Sequence, residues 1–457
     1  MREAKNGGTE SKFSYSQTKF LVVMSVLMGL IIADVSLIRI YDFVSKLFIP
    51  TDLREWLFTV ISISILITLI VLLRYIRPTQ IGGQRKTKLP IRFIYLITKL
   101  VLYASGVMVV YIIIQIFTGS SYSTIDLNIV ILLSYVLSIG ILSVFVVRLA
   151  RLISFNSRKL ILLLFAVAMG SVTMNIIVTL IDAYLRLEER PDETRVFLGG
   201  STDFGKGRYE TLDALYFMSY LASFITAWIA TAALLRHYSH RIGKLKYWLI
   251  GSVPMIIFAA QFIPSYAGIL FPSIKLDPFF IATMVTFIAT LSKPIAGLML
   301  GIGFWTMARV AQKTSPIRRY LVFAGFGFLL LFSSNQAILL SIAPYPPFGI
   351  VTTTVIGIAS YLVVVGLYSS TVSLSQDNEL RRSMKNIARS QFDFLGSIVS
   401  AESNREIENR VIELVKKQSV ELEDRSGIST SLSIEEARMY LKEVLEEVKK
   451  KQNSEGI

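Results

Sequence analysis

Ten apolar runs alternate with polar segments along the chain, at about 20–40, 56–73, 93–117, 126–147, 160–184, 212–235, 247–270, 278–310, 319–342 and 348–369. Each approaches or exceeds the roughly 20 apolar residues with which a helix crosses a bilayer. The pattern predicts an all-α fold, a polytopic membrane helical bundle of about ten transmembrane helices over 20–369. Nine of the runs are ordinary in length. The eighth is not.

That run, Asp277 to Arg309, would form an unbroken helix of roughly 50 Å, well beyond the ~30 Å hydrocarbon core. Its only interior charge, Lys293, stands beside Pro294 near the midpoint, and Gly297, Gly301 and Gly303 follow. Proline removes a backbone donor and tends to kink a helix, whereas a G-x-x-x-G face admits a close neighbour. The run is therefore one tilted or bent crossing, or two half-spans.

Charge decides between them. Residues 1–19, 74–92, 148–159, 236–246 and 309–319 hold 22 Lys and Arg, against eight in the loops between them, from Lys46 to Lys275. Basic residues are retained on the cytoplasmic side, so both termini are expected in the cytoplasm of a plasma-membrane protein, an N-in/C-in arrangement. A hairpin at 278–310 would put the basic loop 309–319 outside. The single crossing is preferred. The same bias accounts for the net charge of +15 without nucleic acid as a partner. The polar N-terminus, 1–19, leads into an apolar run with no small-x-small cleavage site, which is read as a retained first span.

Composition narrows the chemistry. With 53% hydrophobic residues, 17% charged residues and a mean hydropathy of +0.58, the chain is too apolar for a soluble core. It has no cysteine, which excludes disulfides, thiolate metal sites and thiol nucleophiles. Its two histidines, His237 and His240, share a helix end among arginines, a poor setting for a cation. No nucleotide-binding loop, nucleophile elbow or metalloprotease helix occurs. No catalytic, cofactor-binding or metal residue is assigned, and the chain is not expected to be an enzyme.

The candidate polar site lies inside the membrane. Lys293 sits ~23 Å from either end of its run, and ionisable groups at such depth usually face a cavity or a partner. Asp34, ~21 Å into the first run, is the acid that could pair with it. Spans five, seven and nine each begin beside basic residues and carry amides 15 to 17 residues further on: Asn175, Gln261, and Asn335 with Gln336. Either three hairpins repeat one design, or every inward-starting helix begins with basic residues. Such amides are helix–helix glue more often than ligand groups.

After Ser370 the composition turns charged and amphipathic, predicting a cytosolic helical tail over 371–457. Leu380, Met384, Ile387, Gln391, Phe394, Ile398 and Ala401 make an a/d seam, and Ser433 with Glu436 makes a capping box for a final helix. A homodimer or cytosolic partner could engage 371–420, the lipid bilayer being the other partner.

Ten spans followed by LSQDNELRRSMKNIARSQFDFLGSIVS resemble the membrane input regions of prokaryotic sensor proteins. The tail, with its preceding YPPFG turn, is also similar to uncharacterised archaeal multi-pass membrane proteins. Residues 370–457 contain no histidine, so a phospho-accepting His is missing. The resemblance implies a non-enzymatic sensor or adaptor that couples the membrane bundle to a cytosolic amphipathic helix. The alternatives are a secondary transporter of a small solute and a structural subunit of a membrane complex.

Overall fold

The computed structural model describes residues 19–37, 51–76, 91–119, 121–155, 160–188, 210–237, 243–260, 294–309, 316–337, 340 and 345–376. They form ten α-helices and, among the described residues, no strand. In chain order these are α1 (Lys19–Leu37), α2 (Thr51–Tyr75), α3 (Ile91–Gly119), α4 (Thr124–Phe155) and α5 (Leu160–Glu188). Then come α6 (Glu210–His237), α7 (Lys244–Ala260), α8 (294–309), α9 (Pro316–Ser334) and α10 (Ile350–Gln376). Seven of them, α1 to α6 and α10, contain stretches long and apolar enough to cross a membrane. The tail's seam and final helix lie outside the described residues, as do 261–293.

Packing divides the chain into two compact units, one of residues 1–149 with 163–370, the other of 150–162 with 371–457. In the second, the described residues are the ends of α4 and α10 and the first turn of α5. The architecture described next is that of the first unit.

Two helices form its interior. Every residue of α10 from Ile350 to Ser369 is buried except the half-buried Tyr368. The membrane-length stretches of the other six long helices are one-third to one-half buried. From Tyr320 to Ala337, α9 and the residues after it are almost as completely enclosed. Small residues let these helices approach. A Cβ added at Gly366 would stand 2.5 Å from Ala324 N, and one at Gly327 2.7 Å from Val363 N. The Gly297–Gly301 face packs tightly, and its partner is α9: added Cβ atoms would lie 2.9 Å from Phe328 O and 3.0 Å from Gly325 O. Gly325 in turn admits the Trp305 indole, whose Nε1 would be 2.5 Å from a Cβ there.

The remaining helices sheathe this pair with mixed faces. On α3, Phe93, Leu96, Leu100, Tyr103, Val107, Val110, Ile114 and Phe117 recur three and four apart, all exposed. An apolar stripe that long is untenable in water and costs nothing in lipid, so it fits a protein embedded in a bilayer. The opposite face of α3 turns Thr98, Ser105 and Ile112 inward.

Contacts order the helix ends. Phe20 in α1 meets Phe323 and Phe326 early in α9, while Asp34, near the other end of α1, reaches the start of α10. The start of α2 meets residues 345–348 through Glu55 and Phe58, and the end of α3 does so through the Ile116 carbonyl. Thus α1 and α3 end where α2 and α10 begin. The α3–α4 turn is stapled by Gln115, which donates to Asp126 Oδ2 at 2.8 Å and accepts from Ser123 N at 3.2 Å. Ser123 itself caps α4, its Oγ accepting from Ile125 N.

Candidate functional site

Two polar centres interrupt this apolar interior. The first forms where α9 stops. The helix ends at Ser334, and Asn335 and Gln336 continue in non-helical backbone. A helix end exposes carbonyls that nothing in a hydrocarbon core can satisfy. Here the local sequence S-S-N-Q supplies partners. Gln336 Nε2 donates to Ser333 O at 3.0 Å, while the Ser333 and Ser334 hydroxyls fold back one turn onto Leu329 O and Leu330 O at 2.8 and 2.7 Å, satisfying themselves within the helix. The Gln336 backbone N–H also donates to Ser334 O.

The Asn335 side chain reaches outward to neighbouring helices. Its Nδ2 donates to Asn175 Oδ1 on α5 at 2.8 Å. Asn175 Nδ2 donates to Ser219 Oγ on α6 at 3.0 Å, and Ser219 donates to the Tyr216 carbonyl. On the other side, the Tyr135 hydroxyl on α4 donates to Asn335 Oδ1 and accepts from Ala337 N, both at 3.1 Å. The donors run one way from Ala337 through Tyr135, Asn335, Asn175 and Ser219 to Tyr216. Pairing of Gly366 with Ala324 and Gly327 with Val363 sets Asn335 within about two turns of the α10 N-terminus.

The second centre is that N-terminus. Residues Tyr345 to Gly349 turn into α10 through a cis Tyr345–Pro346 bond, with Gly349 at φ +91°. Thr353 N donates to Gly349 O, which makes Gly349 the N-cap. Glycine has no side chain to cap with, so the acceptor comes from elsewhere. Asp34 on α1, buried, takes Gly349 N on Oδ1 at 2.9 Å and the Thr352 hydroxyl on Oδ2 at 2.6 Å. The Thr352 backbone N–H points at the same carboxyl. Beside it the Tyr345 hydroxyl donates to Glu55 Oε1 at 2.8 Å, its ring stacks on Tyr122, and Phe348 meets Phe58 edge-on.

Of the six expected site residues, four are described. Asn175 and Asn335 meet directly, Gln336 serves the end of its own helix, and Asp34 belongs to the α10 entrance. Lys293 and Gln261 lie outside the described residues. Both Asp34 oxygens are engaged by α10, so its burial is explained without Lys293. Sequence reasoning missed Tyr135 and Ser219, which look like ordinary span residues, and Gly349 and Thr352, whose partner is over 300 positions away. Asp182 on α5 is also fully buried, and its Oδ1 accepts from Arg186 Nε at 2.7 Å.

Chemically, the amide centre is uncharged. It holds helices by hydrogen bonds and offers neither a nucleophile–base pair nor a proton acceptor suited to neutral pH. Among the described residues no three His, Cys, Asp or Glu side chains cluster to hold a metal. Comparison with family models, curated proteins and solved structures gives no match to this chain.

Proposed function

We propose that the chain is an integral membrane sensor or adaptor in which α10 carries movement from one face of the bilayer to the 371–457 tail. The observation behind this reading is the enclosure of α10. It is surrounded along its membrane-length stretch and clasped at its entrance by Asp34 of α1, Glu55 of α2 and the Ile116 carbonyl of α3. A displacement at that entrance has little lipid-facing surface through which to dissipate. The charge bias gives the orientation: ten crossings, both termini cytoplasmic, the Tyr345–Gly349 turn outside, in the plasma membrane. The tail's heptad seam, 380–401, gives the movement a place to be read, in a homodimer or with a cytosolic partner.

The absence of cysteine makes the test clean. A spin label at Ser431→Cys in nanodisc-embedded protein reports the tail. Tyr345→Phe removes the hydroxyl that holds Glu55 and is expected to change the label's mobility or inter-label distance. An unchanged label, with hydrogen exchange at 345–353 demonstrably raised, would refute the reading.

A second reading, a secondary transporter for a small solute, is favoured by the end of α9 inside the bundle at Asn335. Interrupted helices build many transporter sites. Flux of a candidate solute into proteoliposomes that is lost in both Lys293→Ala and Asn335→Ala would select it over sensing.

A further inference from the structure

The cap of α10 is supplied in trans. Ordinary N-termini carry Ser, Thr, Asp or Asn at the N-cap, whose side chain accepts from the N2 or N3 amide. The sequence entering α10, P-P-F-G-I-V-T, has glycine there and no neighbour that substitutes for it. The third helical position is Thr352, whose hydroxyl donates to Asp34 Oδ2 and whose amide faces the same carboxyl. The positive end of the helix dipole is met by the same group.

The helix that provides Asp34 is peripheral. Leu21, Val22, Val26 and Ile32 of α1 are exposed at 45 to 56%, while Met24, Leu27, Ile31, Asp34 and Val35 form its buried face. At its first turn Phe20 packs on Phe323 and Phe326 of α9. α1 thus touches both enclosed helices, α9 through rings near its beginning and α10 through a carboxyl near its end. Apolar contact tolerates sliding. A carboxyl held by two hydrogen bonds at fixed positions does not.

From this placement we propose that Asp34 is a releasable latch: α1, the lipid-facing helix, holds α10 in one position by capping it, and withdrawal of Asp34 frees the outer end of α10 to move. The idea rests on the sensing role of α10 proposed above and assigns its regulation to α1. A cap built into α10's own sequence would stabilise the helix equally and would leave nothing for another helix to release.

The test uses full-length protein in nanodiscs, with hydrogen exchange over 349–353 and the Ser431→Cys label as separate readouts. Asp34→Ala is expected to raise exchange at Gly349 and Thr352 at least tenfold and to shift the tail label, with Asp34→Asn intermediate. Asp34→Cys with Thr352→Cys, bridged by Cd²⁺, is expected to return the label to its wild-type state. Unchanged exchange in Asp34→Ala would overturn the latch. Raised exchange with an unmoved tail would overturn the sensing role and leave Asp34 a structural cap. If Asp34→Ala fails to fold, Thr352→Val, which keeps the backbone amide, must show the same two shifts in smaller measure, and its failure to do so overturns the latch.

Discussion

Helices α3 and α10 are nearly equal in mean hydropathy, yet one lines the outside of the bundle and the other its centre. The difference lies in side-chain size and hydroxyls. The outward stripe of α3 is built of Phe, Leu, Tyr, Val and Ile. α10 carries Gly357, Gly366, Thr352, Thr353, Thr354, Ser360 and Ser369 within the same length. Lipid tails are as apolar as leucine, so burial between helices gains little from hydrophobicity. Close backbone approach and satisfied hydroxyls provide the interior's adhesion instead. Thr353 and Thr354 donate to Ile350 O and Val351 O, and Ser138 on α4 meets Ser360 at 2.6 Å.

The harshest way to break the comparison is Gly366→Leu. A Cβ at 366 already collides with Ala324 N and Tyr320 O, at 2.5 and 2.7 Å, and both are backbone atoms that cannot swing away. Overpacking typically costs about 1–3 kcal/mol and more where backbone must shift. Failure to assemble, or a large fall in detergent unfolding midpoint, is expected. Val107→Leu, at the most exposed point of the α3 stripe, should stay within about 0.5 kcal/mol of wild type. Equal effects of the two would mean that α3, too, is covered by protein.

Asn335→Ala comes next. It strands the Tyr135 hydroxyl and Asn175 Oδ1 together, each of which otherwise uses Asn335. Leaving buried groups unsatisfied costs about 1–3 kcal/mol, and a double-mutant cycle with Asn175→Ala should give a coupling of about 0.6–1.7 kcal/mol. Zero coupling would say that the two amides meet without stabilising each other.

These contrasts also show what could be read from residues alone. Length and apolarity gave the helical bundle because a ~30 Å core demands about 20 apolar residues whatever surrounds them. The amides at Asn175 and Asn335 stood out because an amide in hydrocarbon needs a partner, and they proved to be each other's. What stayed hidden was which helices lie inside, since lipid and protein both accept the same apolar side chains. The end of α9 at Ser334 was hidden as well: S-S-N-Q lies inside an unbroken apolar run, 319–342, and only the non-helical backbone of 335–336 and the Gln336 bonds to Ser333 O and Ser334 O reveal where the helix stops. Asp34 was flagged by its depth, but its partners at the α10 entrance, the Gly349 amide and the Thr352 hydroxyl, lie over 300 positions away and have no signature in the sequence.

The finest contrast is between two tyrosines that differ only in their hydroxyl's surroundings. Both Tyr135 and Tyr361 are fully buried. The Tyr135 hydroxyl donates to Asn335 and accepts from Ala337 N, whereas that of Tyr361 has no partner among the described residues. Tyr135→Phe removes two hydrogen bonds and leaves Ala337 N without its acceptor, so a loss of about 1–2 kcal/mol is expected. Tyr361→Phe removes an unsatisfied polar atom from the centre of the bundle and keeps the ring against Tyr95. It should be neutral or stabilising by a few tenths of a kcal/mol, because nothing else loses a partner. Thermal unfolding of the two variants in one detergent decides the matter. A Tyr361→Phe loss as large as that of Tyr135→Phe would mean that a buried water holds the Tyr361 hydroxyl, and that the centre of α10 is wetter than its apolar neighbours imply.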